Sequence, residues 1–188
     1  MKIAIVFFSF LFISCSFAQT EGFAKNNDGS QTYYKTFGNG TPILIINGGP
    51  GMNSNGFEAM AKTLSKNNQT IVYDQRGTGK SLLKKLDAST INMKLMADDI
   101  ESLRIHLKIK KWVVLGHSFG GMLASYYATL YPNSIEKLIL SSSGGLDLKL
   151  LDGPNLIESN LNQIERDSLQ YWNNKIDKGD TSHNARLG

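Results

Sequence analysis

The stretch VVLGHSFGGML, Val113 to Leu123, passes from an apolar run through Gly-His-Ser-Phe-Gly-Gly and back into apolar residues. The run reads as a strand buried in a sheet and the residues from Phe119 onward as a helix, which places Ser118 at a sharp strand-to-helix turn. Such a turn strains the backbone of its middle residue and drives the positions two before and two after it into collision. Glycine at 116 and at 120 relieves those collisions. Ser118 is therefore expected above the carboxyl ends of the strands, at the amino end of a helix whose N–H groups and dipole favour a developing negative charge. These residue types at this spacing point to a nucleophilic serine, with the N–H of Phe119 as first donor to an oxyanion. Gly-x-Ser-x-Gly alone also arises by chance in loops, and it is the flanking strand and helix that separate this one.

Upstream, Ile43 to Ile46 reads as another buried strand, stopped by Asn47-Gly48-Gly49-Pro50-Gly51. Glycines there let the backbone approach a substrate carbonyl, and the N–H of Gly49 is the expected second oxyanion donor. The same glycines also serve simply to turn the chain, and the two roles are compatible. Residues Gln31 to Phe37 alternate weakly and end in Gly38-Asn39-Gly40, an antiparallel strand and turn. Phe57 to Leu64 reads as a helix and Thr70 to Tyr73 as a strand, followed by Asp74-Gln75-Arg76-Gly77-Thr78-Gly79-Lys80-Ser81.

Between Asn92 and Leu107 the apolar Met96, Ile100, Leu103 and Leu107 recur at helical spacing, with Asp98, Asp99, Glu101 and Arg104 assigned to the other faces. Trp112 to Leu115 is the strand before the turn, Phe119 to Tyr131 the helix after it, ended by Pro132, and Ile135 to Leu140 one more strand. The alternation predicts an α/β fold: a mostly parallel sheet with helices on both faces. From Leu146 onward the pattern becomes polar and strandless, helical over Asn155 to Ile176, and reads as the start of a lid.

With 188 residues, the chain is long enough for one α/β domain. A net charge of +4, with lysines scattered rather than massed, argues against nucleic acid as a partner. Lys108, Lys110 and Lys111 are read as ending a helix at its negative pole. Lys2, the apolar run Ile3 to Ser14 and Ser16-Phe17-Ala18 form an export leader with cleavage expected before Gln19, too short for a permanent membrane span. The expected organisation is a leader over 1–18, a core over 19–146 and the beginning of a lid over 147–188. Cys15, the sole cysteine, would leave with that leader, removing any disulfide or thiol nucleophile. The alternative is lipoprotein processing with Cys15 acylated, which anchors the chain to a membrane. No metal or organic cofactor is implied.

Gly-Gly-Pro-Gly after one strand, Asp-Gln-Arg-Gly-x-Gly-x-Ser after the next and Gly-His-Ser-Phe-Gly-Gly after the third resemble the α/β-hydrolase superfamily. More narrowly they resemble its proline iminopeptidase branch, peptidase family S33, over roughly Tyr33 to Gly145. Met96 to Arg104, leading into Trp112, is similar to that branch too. The resemblance implies a secreted serine hydrolase that releases N-terminal residues, proline among them, from short peptides through an acyl-enzyme. Lid carboxylates hold the substrate amine in such enzymes, but Glu158 and Glu165 match no motif for that role and read as exposed helix residues. Asn47 stands where the branch has histidine, and His117-Ser118-Phe119 replaces Gly-Ser-Trp. Both variants resemble relatives that cleave esters or carbon–carbon bonds, so an esterase or amidase of the same fold is the alternative. Ser118 argues against the branches that place aspartate there.

Serine requires an imidazole to take its proton and a carboxylate to orient that imidazole, in the order serine, acid, histidine in this fold. His106 is expected half exposed on a helix, His117 with its side chain turned away from the hydroxyl, and His183 in a polar tail without a strand to carry it. Asp147 follows the last strand, a position that some relatives use for the acid. The chain is thus read as lacking acid and base, incomplete at the C-terminal edge of the fold, with an inactive fragment as a further alternative. Its strand over Ile135 to Leu140 is expected to form a bare, aggregation-prone sheet edge. Nucleotide binding at Gly77 to Ser81 is disfavoured because Asp74 occupies the position where the phosphate loop requires glycine. Asp74 and Arg76 are expected to brace that loop by bonding each other.

Overall fold

In the computed structural model the described residues are 19–144 and 160–179. The expectations for the leader, Cys15, Asp147, Glu158 and His183 fall outside them. The chain divides into two compact units, Met1–Leu146 and Asp147–Gly188.

Among its described residues the first unit has six strands: β1 (Thr20–Lys25), β2 (Gln31–Phe37), β3 (Thr41–Ile46), β4 (Asn68–Tyr73), β5 (Trp112–His117) and β6 (Ile135–Ser141). They form one sheet in the order β1-β2-β4-β3-β5-β6. β1 and β2 run antiparallel to each other, and β2 runs antiparallel to β4. The pairs β3–β4, β3–β5 and β5–β6 are parallel. The sheet is therefore parallel where the expected core lies and antiparallel at its β1–β2 margin. Strand β1 was not foreseen; its alternation is weak, and pairing with β2 organises it.

Helices α1 (Glu58–Leu64), α2 (Met93–His106) and α3 (Phe119–Leu130) supply the crossovers. A single 3-10 turn, Asn55–Phe57, leads into α1, so the helix expected from Phe57 starts one residue later. The Asn92 side chain accepts the N–H of Leu95 at 3.0 Å and caps α2. Because β4 pairs on one flank of β3 and β5 on the other, the chain reverses direction across the sheet between them. Crevices at the carboxyl ends of strands open at such a reversal. The register Ile46↔Gly116 brings the ends of β3 and β5 side by side there.

Period-two alternation divides the core. Leu44, Ile46, Ile71, Tyr73, Trp112 and Val114 pack with Met96, Ile100 and Leu103 of α2 and Leu123 and Tyr127 of α3. The opposite face is smaller, with Phe37, Ile45 and Val72 against Ala61 of α1. β6 differs: Leu138, Ile139 and Leu140 are 38%, 45% and 47% exposed, and among the described residues its one strand partner is β5.

In the second unit, the described part of the expected Asn155–Ile176 helical stretch is α4 (Gln163–Asp177). Asn162 and Glu165 close a capping box: the Asn162 side chain accepts the N–H of Glu165, and the Glu165 carboxylate accepts the N–H of Asn162. Glu165 is exposed on the helix, as expected, and its capping role is an addition from the structure. Among the described residues no helix is long and apolar enough to cross a membrane.

Candidate active site

Ser118 sits at the junction of β5 and α3 with φ 52° and ψ −124°, a left-handed conformation that a non-glycine residue adopts only under constraint. The surroundings supply that constraint. The N–H of Ser118 donates to the Ser141 carbonyl at 3.0 Å, and its own carbonyl accepts from the Gly121 N–H at 2.9 Å. A Cβ on Gly116 would lie 2.4 Å from the Gly120 carbonyl oxygen. A Cβ on Gly120 would lie 2.3 Å from the carbonyl oxygen of Ile46. The two glycines thus serve different neighbours: Gly116 admits the helix start, and Gly120 lets α3 sit against the end of β3. The third, Gly121, has a role the sequence did not reveal, since a Cβ there would meet Ser143 Oγ at 2.3 Å.

The loop after β3 reaches the same place. Gly48 is buried, and a Cβ added to it would stand 3.1 Å from Ser118 Cβ. Gly49 follows with φ 137°, a value suited to glycine, and a cis bond to Pro50. No described group accepts a hydrogen bond from the N–H of Gly49 or of Phe119. Both are thus free to donate to an incoming oxygen, and helix α3 begins at Phe119.

Neither described histidine is hydrogen-bonded to Ser118. His117 Nδ1 lies 3.3 Å from Ser141 Oγ, and its ring packs against Phe57 at 5.5 Å between centroids, on the α1 side of the sheet. His106 is exposed on α2, with Nε2 3.2 Å from the Tyr34 hydroxyl. Among the described residues no group of three or more His, Cys, Asp and Glu side chains is placed to hold a metal ion.

The loop after β4 corrects the expected bracing, because Asp74 and Arg76 do not bond each other. Arg76 donates to both oxygens of Asp99, Nε at 2.8 Å and Nη2 at 2.6 Å, and through Nη1 to Asp28 at 2.6 Å. Asp99, assigned to a polar face by sequence, is 2% exposed. Helical spacing carried the signal: Asp99 stands three residues after Met96 and four before Leu103, on the buried stripe. Burial pushes the Asp99 carboxyl up to about 6 against the pull of the guanidinium. For Asp28 burial works in the same direction, but Arg76 and Ser30 outweigh it and hold the group at about 2. Lysines 108, 110 and 111 lie beyond the last turn of α2, which ends at His106, rather than within it. Gly77 to Ser81 forms a turn with no helix before Met93, unlike a phosphate-binding loop.

The comparisons agree with this geometry. Residues 41–187 match the family model described as alpha/beta hydrolase fold. A proline iminopeptidase of Lactobacillus helveticus (strain DPC 4571) is 37% identical over 120 residues, 61% of this chain and 41% of that protein. An esterase structure from Exiguobacterium antarcticum is 31% identical with TM-score 0.59, covering 66% of this chain and 46% of that one. The structure of VinJ, 20% identical, superposes with TM-score 0.74 over 89% of this chain and 58% of that chain, a likeness of fold. The chain spans about two fifths of the length of the proline iminopeptidase it matches. A strained serine between glycines at the end of a parallel strand, a glycine loop against it and a family match over most of the residues agree: this chain belongs to the α/β-hydrolase family.

Proposed function

We propose that the chain carries the nucleophile and oxyanion-binding part of a serine hydrolase of proline iminopeptidase type. Its substrates are short peptides with a free N-terminal residue, proline in particular. The observation that carries the reading is the backbone of Ser118, φ 52° and ψ −124°, between β5 and α3. A left-handed residue there presents its Oγ at the carboxyl edge of the sheet. In the proposed reaction Oγ bonds to the substrate carbonyl carbon while its proton passes to an imidazole. The negative oxygen of the tetrahedral intermediate lies between the N–H groups of Phe119 and Gly49. Collapse of the intermediate breaks the C–N bond, the departing amine takes the proton, and water then releases the acyl group and restores the hydroxyl. Neither described histidine is hydrogen-bonded to Ser118, so the reading requires an imidazole and an orienting carboxylate from outside the described residues. The apolar leader supports export, which fractionation of expressing cells tests.

A fluorophosphonate probe should label the protein in which the imidazole and carboxylate are supplied and leave its Ser118→Ala variant unlabelled; a folded protein so completed that resists the probe contradicts the nucleophile assignment. Esterase activity is the second reading, favoured by Asn47 and by the 31% identity to an esterase. Faster turnover of p-nitrophenyl acetate than of proline p-nitroanilide selects it; the opposite order selects the peptidase.

A further inference from the structure

We infer that Asp74 and Gln75 are positioning residues that set the Gly49 N–H for its role, an inference that rests on the assignment of Ser118 and Gly49 in the proposed function. Two consecutive residues at the end of β4 take hold of the neighbouring loop, 47–54, at its two ends. Gln75 is 1% exposed and its Nε2 donates to the Asn47 carbonyl at 2.8 Å, where the loop leaves β3. Asp74 is 3% exposed, and its Oδ1 accepts from both the N–H and the Oγ of Ser54, at 2.9 and 2.8 Å, where the loop ends. Its Oδ2 accepts from the Lys80 N–H at 2.8 Å. Gly79 is pressed so close that a Cβ there would fall 2.0 Å from that oxygen, which fixes the orientation of the carboxylate.

Within the span so fixed, the Asn47 side chain ties the loop to itself, Nδ2 donating to the carbonyls of Gly48 and Met52 at 2.9 Å each. The β4 end is anchored in turn: Ser81 Oγ donates to the Asp74 carbonyl at 2.7 Å, and Asp74 N–H to the Tyr33 carbonyl at 2.9 Å. Among the described residues no cation pairs with this buried carboxylate, so its three donors carry its burial and the loss of any one is costly. Neither residue is hydrogen-bonded to Ser118. Their effect passes through the loop, which touches Ser118 at Gly48 and offers the N–H of Gly49. A donor displaced by about 1 Å loses on the order of a hundredfold in rate.

The test compares the full chain with Asp74→Asn, Gln75→Met and the milder Ser54→Ala, which removes one of the two Ser54 donors and leaves the fold otherwise intact. Two quantities are read below the unfolding temperature: the ¹⁵N order parameters of Gly48 and Gly49, and phosphonylation of Ser118 by a fluorophosphonate, separated into binding and inactivation constants. The expected result is a fall in order at Gly48 and Gly49 together with inactivation about ten- to a hundredfold slower, binding being unchanged. Wild-type order at these glycines in all three variants, or an unchanged inactivation constant, overturns the clamp. If the unaltered protein takes no label even with the imidazole and carboxylate supplied, the nucleophile assignment fails, and the order parameters alone decide the clamp: lowered order supports it and unchanged order refutes it.

Discussion

Strands β5 and β6 are parallel neighbours of similar apolar character, yet they live in different surroundings. Trp112 and Val114 of β5 are fully buried between α2, α3 and the flanking strands, whereas Leu138, Ile139 and Leu140 of β6 remain between about a third and a half exposed. β6 also carries Glu136 and Lys137, but its apolar residues differ from those of β5 by position in the sheet, since among the described residues β5 has a hydrogen-bonded strand on each side and β6 on one. Substitutions near the end of β5 thus meet fixed backbone, while those on β6 meet solvent.

That contrast predicts a descending series of effects. Gly120→Ala should be the most damaging, because its methyl group would strike the Ile46 and Asn47 carbonyls at 2.3 and 2.5 Å. A loss of about 3 kcal/mol is expected, read by urea denaturation, together with loss of probe labelling at Ser118. Arg76→Met comes next, at roughly 3 kcal/mol, since it leaves Asp99 buried without its cation. A wild-type midpoint in either variant breaks the comparison.

The Arg76 cluster also fixes a pH dependence. Asp99 titrates at about 6 in the fold against an ordinary 3.8, so the native state binds the extra proton between those values. Its stabilising contribution is complete below about pH 4 and is lost as pH rises through 6. Asp28, held at about 2, acts in the opposite sense: its contribution is present above 3.8 and lost as pH falls toward 2. Denaturation midpoints followed from pH 4 to 7 should therefore lose the Asp99 slope in Asp99→Asn. The smallest effect belongs to the edge: Ile139→Lys should shift stability by no more than about 0.5 kcal/mol while reducing concentration-dependent light scattering. A large loss of stability there would show that β6 is as fixed as β5.

Most of the sheet was legible because its strands are short apolar runs closed by glycine or aspartate, and because α2 and α3 carry clear helical stripes. The elbow was legible for a local reason: a five-residue spacing with a strand before it and a helix after it constrains the backbone by itself. Strand β1 was not legible, for its order comes from pairing with β2 rather than from its own pattern. The partners of Arg76 and Asp74 escaped for a related reason. Both side chains bond residues 20 or more positions away in sequence, Asp28, Asp99 and Ser54, and adjacency in the motif suggested each other instead. Asp99 shows what a finer reading recovers, since a charged residue on a buried helical stripe demands a buried counter-charge.

Beyond the ladder that pairs β5 with β6, one further hydrogen bond ties the exposed strand to the nucleophile itself. The amide of Ser118 is held by the carbonyl of Ser141, the last residue of the exposed strand. Any force that tilts β6, such as a second chain adding itself to the open margin, is transmitted across 3.0 Å to a serine held at positive φ. Self-association at this margin would therefore alter the reactivity of the hydroxyl before it altered the helix content, and probe labelling would register the earliest oligomers sooner than circular dichroism.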